Sequence, residues 1–339
     1  MKIYTFWNNK GGTGKTSLAF QTICHFAHRH SDKKILAIDM CPQANLSELF
    51  LGGLEGCGSQ QLLALHGNVK RASIGGYFQD RLPAPYTVKQ IQAQDFITKA
   101  NVHNPRIPTN IDLICGDPIL ELQANAVSTL ANNQIPGIDT WIKVIDWVAD
   151  LLQPIREKYD FVFIDTNPSF SVYTQMALAI TQFLILPTMA DDSSKRAIQN
   201  AFSLIYGFKL PHPIYAKFAF SQRMENAGRK LPMVHLIIKN RLTQYMGAAS
   251  AYSAVLKTID SIVADLQQDN CQIFSYKETS KMLLDVRDFQ TTGVVAFARG
   301  CPFYQLEGRS YSIQGRRVNV KRDYLDNCIR AIDAIVERL

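Results

Sequence analysis

Asn8-Asn9-Lys10-Gly11-Gly12-Thr13-Gly14-Lys15-Thr16-Ser17 is the stretch that decides the fold of this 339-residue chain. The residues before it, Lys2 to Trp7, form a short apolar run that reads as a strand. After it, Leu18, Ala19, Ile23, Phe26 and Ala27 recur at helical spacing. A strand, a glycine-rich turn and a helix in that order make a phosphate-binding loop. Gly11, Gly12 and Gly14 let the backbone turn its N–H groups inward, and the helix N-terminus adds positive potential. In such a loop Lys15 reaches the β- and γ-phosphates and the Thr16 hydroxyl holds Mg²⁺, with Thr13 and Ser17 completing the cradle.

The general pattern G-x-x-x-x-G-K-[ST] requires glycine at position 9, where this chain has Asn9. The stretch matches instead K-G-G-x-G-K-[ST], the deviant Walker A form, and in this it resembles the ParA/MinD-like ATPases. The resemblance implies an α/β fold with a mostly parallel central sheet and helices on both faces. It implies ATP and Mg²⁺ as cofactors. It gives Lys10 a role as well: crossing the interface of an ATP-bound homodimer to the phosphates held by the partner.

Two further segments follow in the family's order. Lys33 to Ile38 is an apolar strand ending in Asp39-Met40-Cys41-Pro42-Gln43-Ala44-Asn45, similar to the D-x-D-P-Q-x-N switch I segment. It closes a right-handed strand–helix–strand unit with the loop at the carboxyl edge. Tyr159 to Pro168 contains an aromatic and β-branched strand ending at Asp165, a carboxylate placed to hold a Mg²⁺ shell. The expected metal set is Thr16, Asp39 and Asp165, and the expected catalytic set Lys10, Lys15 and Asp39.

Cys41 departs from the pattern, because the resemblance puts at this position the aspartate that orients the attacking water. A thiol is a poor general base at neutral pH and a weak acceptor. Either hydrolysis is very slow and the protein works as an ATP-gated switch, or another group such as Asp39, or one supplied by a partner, orients the water. A small buried residue at a tolerant position is the plainer reading of Cys41.

Hydrophobic residues make up 47% of the chain, enough for a sizeable core. Because the motifs run from residue 8 to beyond 240, they describe one sheet, and the expected organisation is a single domain with insertions at about 52–108 and 207–233. The cysteines, at 24, 41, 57, 115, 271, 301 and 328, show no C-x-x-C pair and read as reduced thiols. No signal peptide is expected, since the first residues read as a strand, nor a preceding helix-turn-helix domain. A cytoplasmic protein, nucleoid-associated when ATP-bound, is the expectation.

The net charge of +7 is unevenly placed. Between residues 195 and 250 lie Lys195, Arg196, Lys209, Lys217, Arg223, Arg229, Lys230, Lys239 and Arg241 against Glu225 alone. A second cluster, Arg309, Arg316, Arg317, Lys321 and Arg322, contains no acid. Such local excess favours a polyanion, although any one of these residues by itself reads as solvated surface. The resemblance adds Arg241 and Arg287 as DNA-binding candidates, and charge alone adds the second cluster.

Residues 52–108 are glycine- and proline-punctuated and read as loops and short helices beside the sheet. Trp141, Ile145, Val148, Leu151 and Leu152 are spaced for one long helix, and Pro211, Pro213 and Pro232 argue against regular structure over 207–233. His235 to Arg241 reads as a strand whose Asn240 either reads the adenine base, as the resemblance implies, or caps a helix beginning near Gly247. Ala298-Arg299-Gly300-Cys301-Pro302 resembles the family's G-x-P turn, which makes Pro302 a nucleotide contact. From Val320 to Leu339 an apolar stripe carries charges of both signs, and core packing is expected there rather than a MinD-like membrane anchor.

The leading expectation is a dimerising ATPase that binds DNA non-specifically and, with a ParB-like or other adaptor, segregates or positions a cargo. Alternatives are a nucleotide-sensing switch subunit of a larger complex, for example a defence system, and a MinD-like positioner.

Overall fold

The structure, a computed structural model, describes residues 1–88, 90–189, 191–242 and 250–339. Its centre is an eight-stranded sheet built from β1 (Lys2–Phe6), β2 (Ile35–Met40), β3 (Thr98–Lys99), β4 (Ile111–Ile114), β5 (Phe161–Thr166), β6 (Phe183–Met189), β7 (Met233–Leu242) and β8 (Leu283–Arg287). The spatial order is β3-β4-β2-β5-β1-β6-β7-β8, parallel throughout except where β3 runs antiparallel to β4 at one edge. A separate hairpin joins β9 (Ser310–Ile313) to β10 (Arg316–Asn319).

Successive side chains on a strand point to opposite faces, so each strand feeds two cores. Along β2, Leu36, Ile38 and Met40 enter one core while Ile35 and Ala37 enter the other. Along β5, Val162 and Ile164 face the first and Phe163 the second. The first core holds Phe78, Trp141 and Trp147, and the second holds Phe20 and Phe26 with Leu325 and Ile332. With both faces covered by helices, the strands need apolar residues at every position, which is how β2 and β5 read. β1 lies in the middle of the sheet between β5 and β6, and the glycine-rich loop leaves its carboxyl end there.

The structure differs from the sequence reading at three places. The helix expected through residues 141–152 is two helices, Thr140–Ile145 and Trp147–Leu152, with Asp146 at the junction, where its carboxylate meets Arg229 at 2.5 Å. Residues 207–233 do contain a regular helix, Phe220–Asn226, because Phe220 and Met224 find the core. Within 52–108, beside the expected short helices Gly58–His66 and Ile74–Arg81, the chain adds the edge strand β3.

The last helix is Arg322–Val336, and its stripe of Leu325, Cys328, Ile332, Ile335 and Val336 is buried. It packs on the helix Lys15–Arg29, where Asp333 lies 3.0 Å from Arg29. That apolar face is therefore covered by protein. Among the described residues, no helix is long and apolar enough to cross a membrane.

Candidate functional site

The helix that follows the loop begins at Lys15, and Gly14 ahead of it has φ +81°, a left-handed conformation that disfavours a side chain. A Cβ at Gly14 would also stand 2.2 Å from Asn240 Nδ2. That amide donates to the Thr13 carbonyl at 2.9 Å, so β7 braces the loop from below. Gly12 is left-handed too, with φ +74°, and open space lies where Cβ atoms would stand on Gly11 and Gly12. Thr13 Oγ1 is buried without a hydrogen-bond partner, as expected of a hydroxyl that donates to a bound phosphate, and Asn9 Oδ1 is buried without a partner as well.

Lys15 is buried, its Nζ 3.4 Å from the Lys10 carbonyl. Burial lowers its pKa, opposed by the charge of Asp165. Thr16 Oγ1 donates to Asp165 Oδ2 at 2.7 Å, while Asp165 Oδ1 is buried without a partner. Asp39 and Asp165 are register neighbours on β2 and β5. Burial pushes both carboxyls above the usual range, and for Asp165 the charge of Asp39 adds to the rise. Two adjacent buried carboxylates with an orphaned oxygen and a hydroxyl alongside form a donor set that fits a hard divalent cation.

Asp39 also accepts from Cys41 N at 3.1 Å, Ser47 N at 2.9 Å and Ser47 Oγ at 2.8 Å. These bonds hold it in place and leave it little freedom to orient a water. Cys41 is pushed up to about 12 by burial and by the nearby carboxylates Asp39 and Asp165, so it is a neutral thiol at physiological pH. Lys10 is folded back within its own chain, with Nζ 2.5 Å from Asp191 Oδ2 and 3.4 Å from Ser194 Oγ. Partial burial works against it, but hydrogen bonds from Lys10, Ser193 and Ser194 hold the Asp191 carboxyl down to about 2.

A cleft of about 960 Å³ opens beside the loop, lined by Thr16, Ser17, Asn240, Asp288, Phe289 and Gln290 among others. Sequence reasoning missed the last three, which directly follow β8, because no charge or glycine pattern marks them. It also missed Ser47, Asp191 and Ser194, whose roles depend on contacts between distant segments. Asn240 lines the cleft while anchoring Thr13. The capping alternative for Asn240 involves Gly247, which lies outside the described residues.

Pro302 is not among the residues lining the cleft, although Phe297 and Ala298, near the end of the preceding helix Gln290–Arg299, are. The turn is strapped instead to the side of the first helix: Gln21 Nε2 donates to the Cys301 carbonyl and Phe303 N donates to Gln21 Oε1.

The basic candidates separate by environment. Lys239 leaves the set, since it is buried and 2.8 Å from both Asp260 and Asp285. Arg241 is exposed, has φ +60°, and stands at the cleft rim. Arg287 ends β8, and the adjacent Asp288 carbonyl accepts from Tyr324, which brings Arg287 toward Lys321 and Arg322. Arg309 pairs with Glu307, and Arg322 with Asp326. Arg316 and Arg317 are exposed on the hairpin and make no ion pair among the described residues. The hairpin residues Ile313 and Gln314 border the cleft.

Comparison with known proteins agrees with this geometry. A family described as "AAA domain" matches residues 1–210. The chain is 25% identical over 187 residues to the virulence plasmid ParA family protein pGP5-D of Chlamydia psittaci, covering 55% of this chain and 56% of that one. The chain spans about half the length of the curated relatives it matches. A plasmid partition protein of Borrelia burgdorferi bound to AMPPNP superposes with TM-score 0.56 at 16% identity, over 100% of this chain and 99% of that one. pNOB8 ParA bound to nonspecific DNA superposes with TM-score 0.55 at 16% identity, over 99% and 98%. At such identities the superpositions establish the fold.

Proposed function

The chain belongs to the ParA-like P-loop ATPases, and on that premise we propose that it is an ATP-dependent dimerising switch that holds DNA without sequence preference. In this reading one ATPase domain, carrying insertions at about 52–108 and 207–233, works with an adaptor protein to segregate or position a cargo, and it sits on the nucleoid when ATP-bound. The observation that carries the proposal is the meeting of Asp39, Asp165 and Thr16 beneath a loop with two lysines.

Lys15 and the inward N–H groups bind the phosphates, and the cleft beside Asn240 and Phe289 takes the nucleoside. Thr16 and Asp165 would hold Mg²⁺, with Asp39 held rigid by Ser47 in the adjoining shell. Bound there, the cation would neutralise phosphate charge and fix the triphosphate's orientation. Lys10 must exchange Asp191 for a phosphate across the dimer interface, so the internal ion pair opposes premature closure.

The neutral Cys41 thiol and the fully bonded Asp39 favour slow hydrolysis, and hence a second reading as a regulatory switch that closes on ATP and rarely turns over. A positioned base contributes roughly a hundredfold or more to such steps. Cys41→Asp is therefore expected to raise steady-state turnover by at least about tenfold with Mg²⁺ and DNA present. Equal rates for the two proteins would show that Cys41 does not limit hydrolysis.

For DNA, the exposed hairpin arginines are the sharpest test. Arg316→Glu with Arg317→Glu is expected to weaken retention on non-specific duplex about tenfold or more at low salt and to lower the salt slope by about two. Unchanged retention removes the hairpin from the interface. The experiment that decides the main reading is sizing in ATP and in ADP, with ATP turnover measured with and without DNA. A protein that stays monomeric in ATP and ignores DNA would falsify it. A trapped ATP dimer without turnover selects the switch.

A further inference from the structure

The second insertion carries a surface remote from the nucleotide loop. From Ser193 to Met224 the sequence has no acidic residue. Within it, the short helical segment Pro213–Phe218 has no buried residue. Three large apolar side chains stand in solvent there, Ile214 at 54% exposure, Tyr215 at 54% and Phe218 at 65%. Water-facing loops of ordinary monomers do not gather such residues.

Both ends of the segment are fixed. On the amino side Phe208 packs on Phe202 and Tyr206, and on the carboxyl side Phe220 and Met224 are buried. Pro211 and Pro213 restrict the chain between them. The exposed residues are thus presented on a braced protrusion. Around it Lys209, Lys217 and Lys230 are exposed and make no ion pair among the described residues. Arg223 stacks over Phe218 at 6.0 Å. Because the segment precedes β7, it lies at the amino edge of the parallel sheet, away from the loop that follows β1.

We propose that residues 208–218 form a peripheral docking site for an anionic phospholipid bilayer. Ile214, Tyr215 and Phe218 enter the headgroup boundary while the lysines remain among the lipid phosphates. Two features favour lipid over a protein groove. The apolar residues protrude instead of lining a pocket, and the acid-free run from Ser193 to Met224 complements a negative plane, while Asp265 and Asp269 line a separate pocket with Lys209. An aromatic phenol beside an aliphatic and a phenyl ring also suits the half-wet interface. The proposal does not depend on nucleotide binding, and it concerns a different surface from the last helix, whose apolar stripe is covered by protein.

The test is flotation of the full chain in ADP with phosphatidylcholine vesicles and with vesicles containing about one quarter phosphatidylglycerol. Binding is expected to the anionic vesicles, weakening as salt rises. Ile214→Ser, Tyr215→Ser and Phe218→Ser together should reduce it about tenfold or more. Lys209→Glu with Lys217→Glu should remove the preference for anionic lipid by a similar factor, about tenfold. These positions are exposed, so unchanged thermal midpoints confirm that the variants fold. Persistence of binding in the triple variant overturns the proposal. An equal loss from Arg316→Glu with Arg317→Glu, at the other edge of the sheet, overturns it by assigning binding to general charge. Failure to float with either vesicle also overturns it, and cross-linking of Ile214 to a protein would then identify a protein docking surface instead.

Discussion

Lys15→Ala is expected to weaken ATP binding by about a hundredfold or more while leaving the apo fold intact. Each charge-assisted hydrogen bond to a phosphate is worth about 1.5–3 kcal/mol, and this ammonium is placed to serve two phosphates. Its place in the apo protein explains why the fold survives. Lys15 is buried, yet its ammonium meets only the Lys10 carbonyl, at 3.4 Å, among the described residues. Burial already lowers its pKa, so the unliganded protein gains little from holding the charge there. Titration with a fluorescent ATP analogue, beside a thermal melt without nucleotide, measures both halves. An affinity loss below about tenfold would show that the phosphates lie elsewhere.

The second large effect is a dependence on pH set by Asp39 and Asp165. Burial raises both carboxyls, and the two oppose each other's ionisation across neighbouring strands. A folded pKa raised above the unfolded value contributes stability that is fully present below the unfolded pKa, about 4, and is lost as pH rises through the folded value. The pair's contribution to apo stability should therefore fade between about pH 4 and neutrality, against the opposite trend of the buried His25, His66 and His235 imidazoles, whose pKa values burial lowers. A divalent cation binds the ionised pair and should restore that loss at neutral pH. Conversely, Mg²⁺-dependent ATP affinity should fall as pH drops below neutrality, by up to about tenfold per unit for each proton displaced. Melting with and without Mg²⁺ from about pH 5 to 8 checks the first, and ATP titration over the same range the second. Asp165→Asn removes one titrating member and should shrink the pair's contribution to both profiles. Profiles unchanged by Asp165→Asn would contradict the arrangement.

The nucleotide loop was legible because its chemistry is local. Gly12 and Gly14 take the left-handed conformations the turn needs, and the flanking periodicities name the strand and helix. Asp39 and Asp165 were legible for a similar reason, as acids at the ends of apolar strands. Pro302 could not be placed from its motif, because a proline near a glycine says nothing of how the intervening helix positions it. Lys239 misled because charge counting cannot see Asp260 and Asp285 arriving from later segments. The helix expected over 141–152 had the right apolar spacing on both sides of Asp146, where the two helices meet and the carboxylate pairs with Arg229.

The sequence by itself determined the family, the loop and the pair of strand-end carboxylates, since each rests on residues adjacent in the chain or on a strand's own period. Only the tertiary structure decided how those parts are poised. It folds Lys10 back onto Asp191, ties Asp39 to Ser47, sets Asn240 beneath Thr13, and leaves Ile214, Tyr215 and Phe218 outside. The physical reason is that hydrogen bonds, desolvation and exposure depend on which distant segments meet, and a linear pattern carries no distance between them.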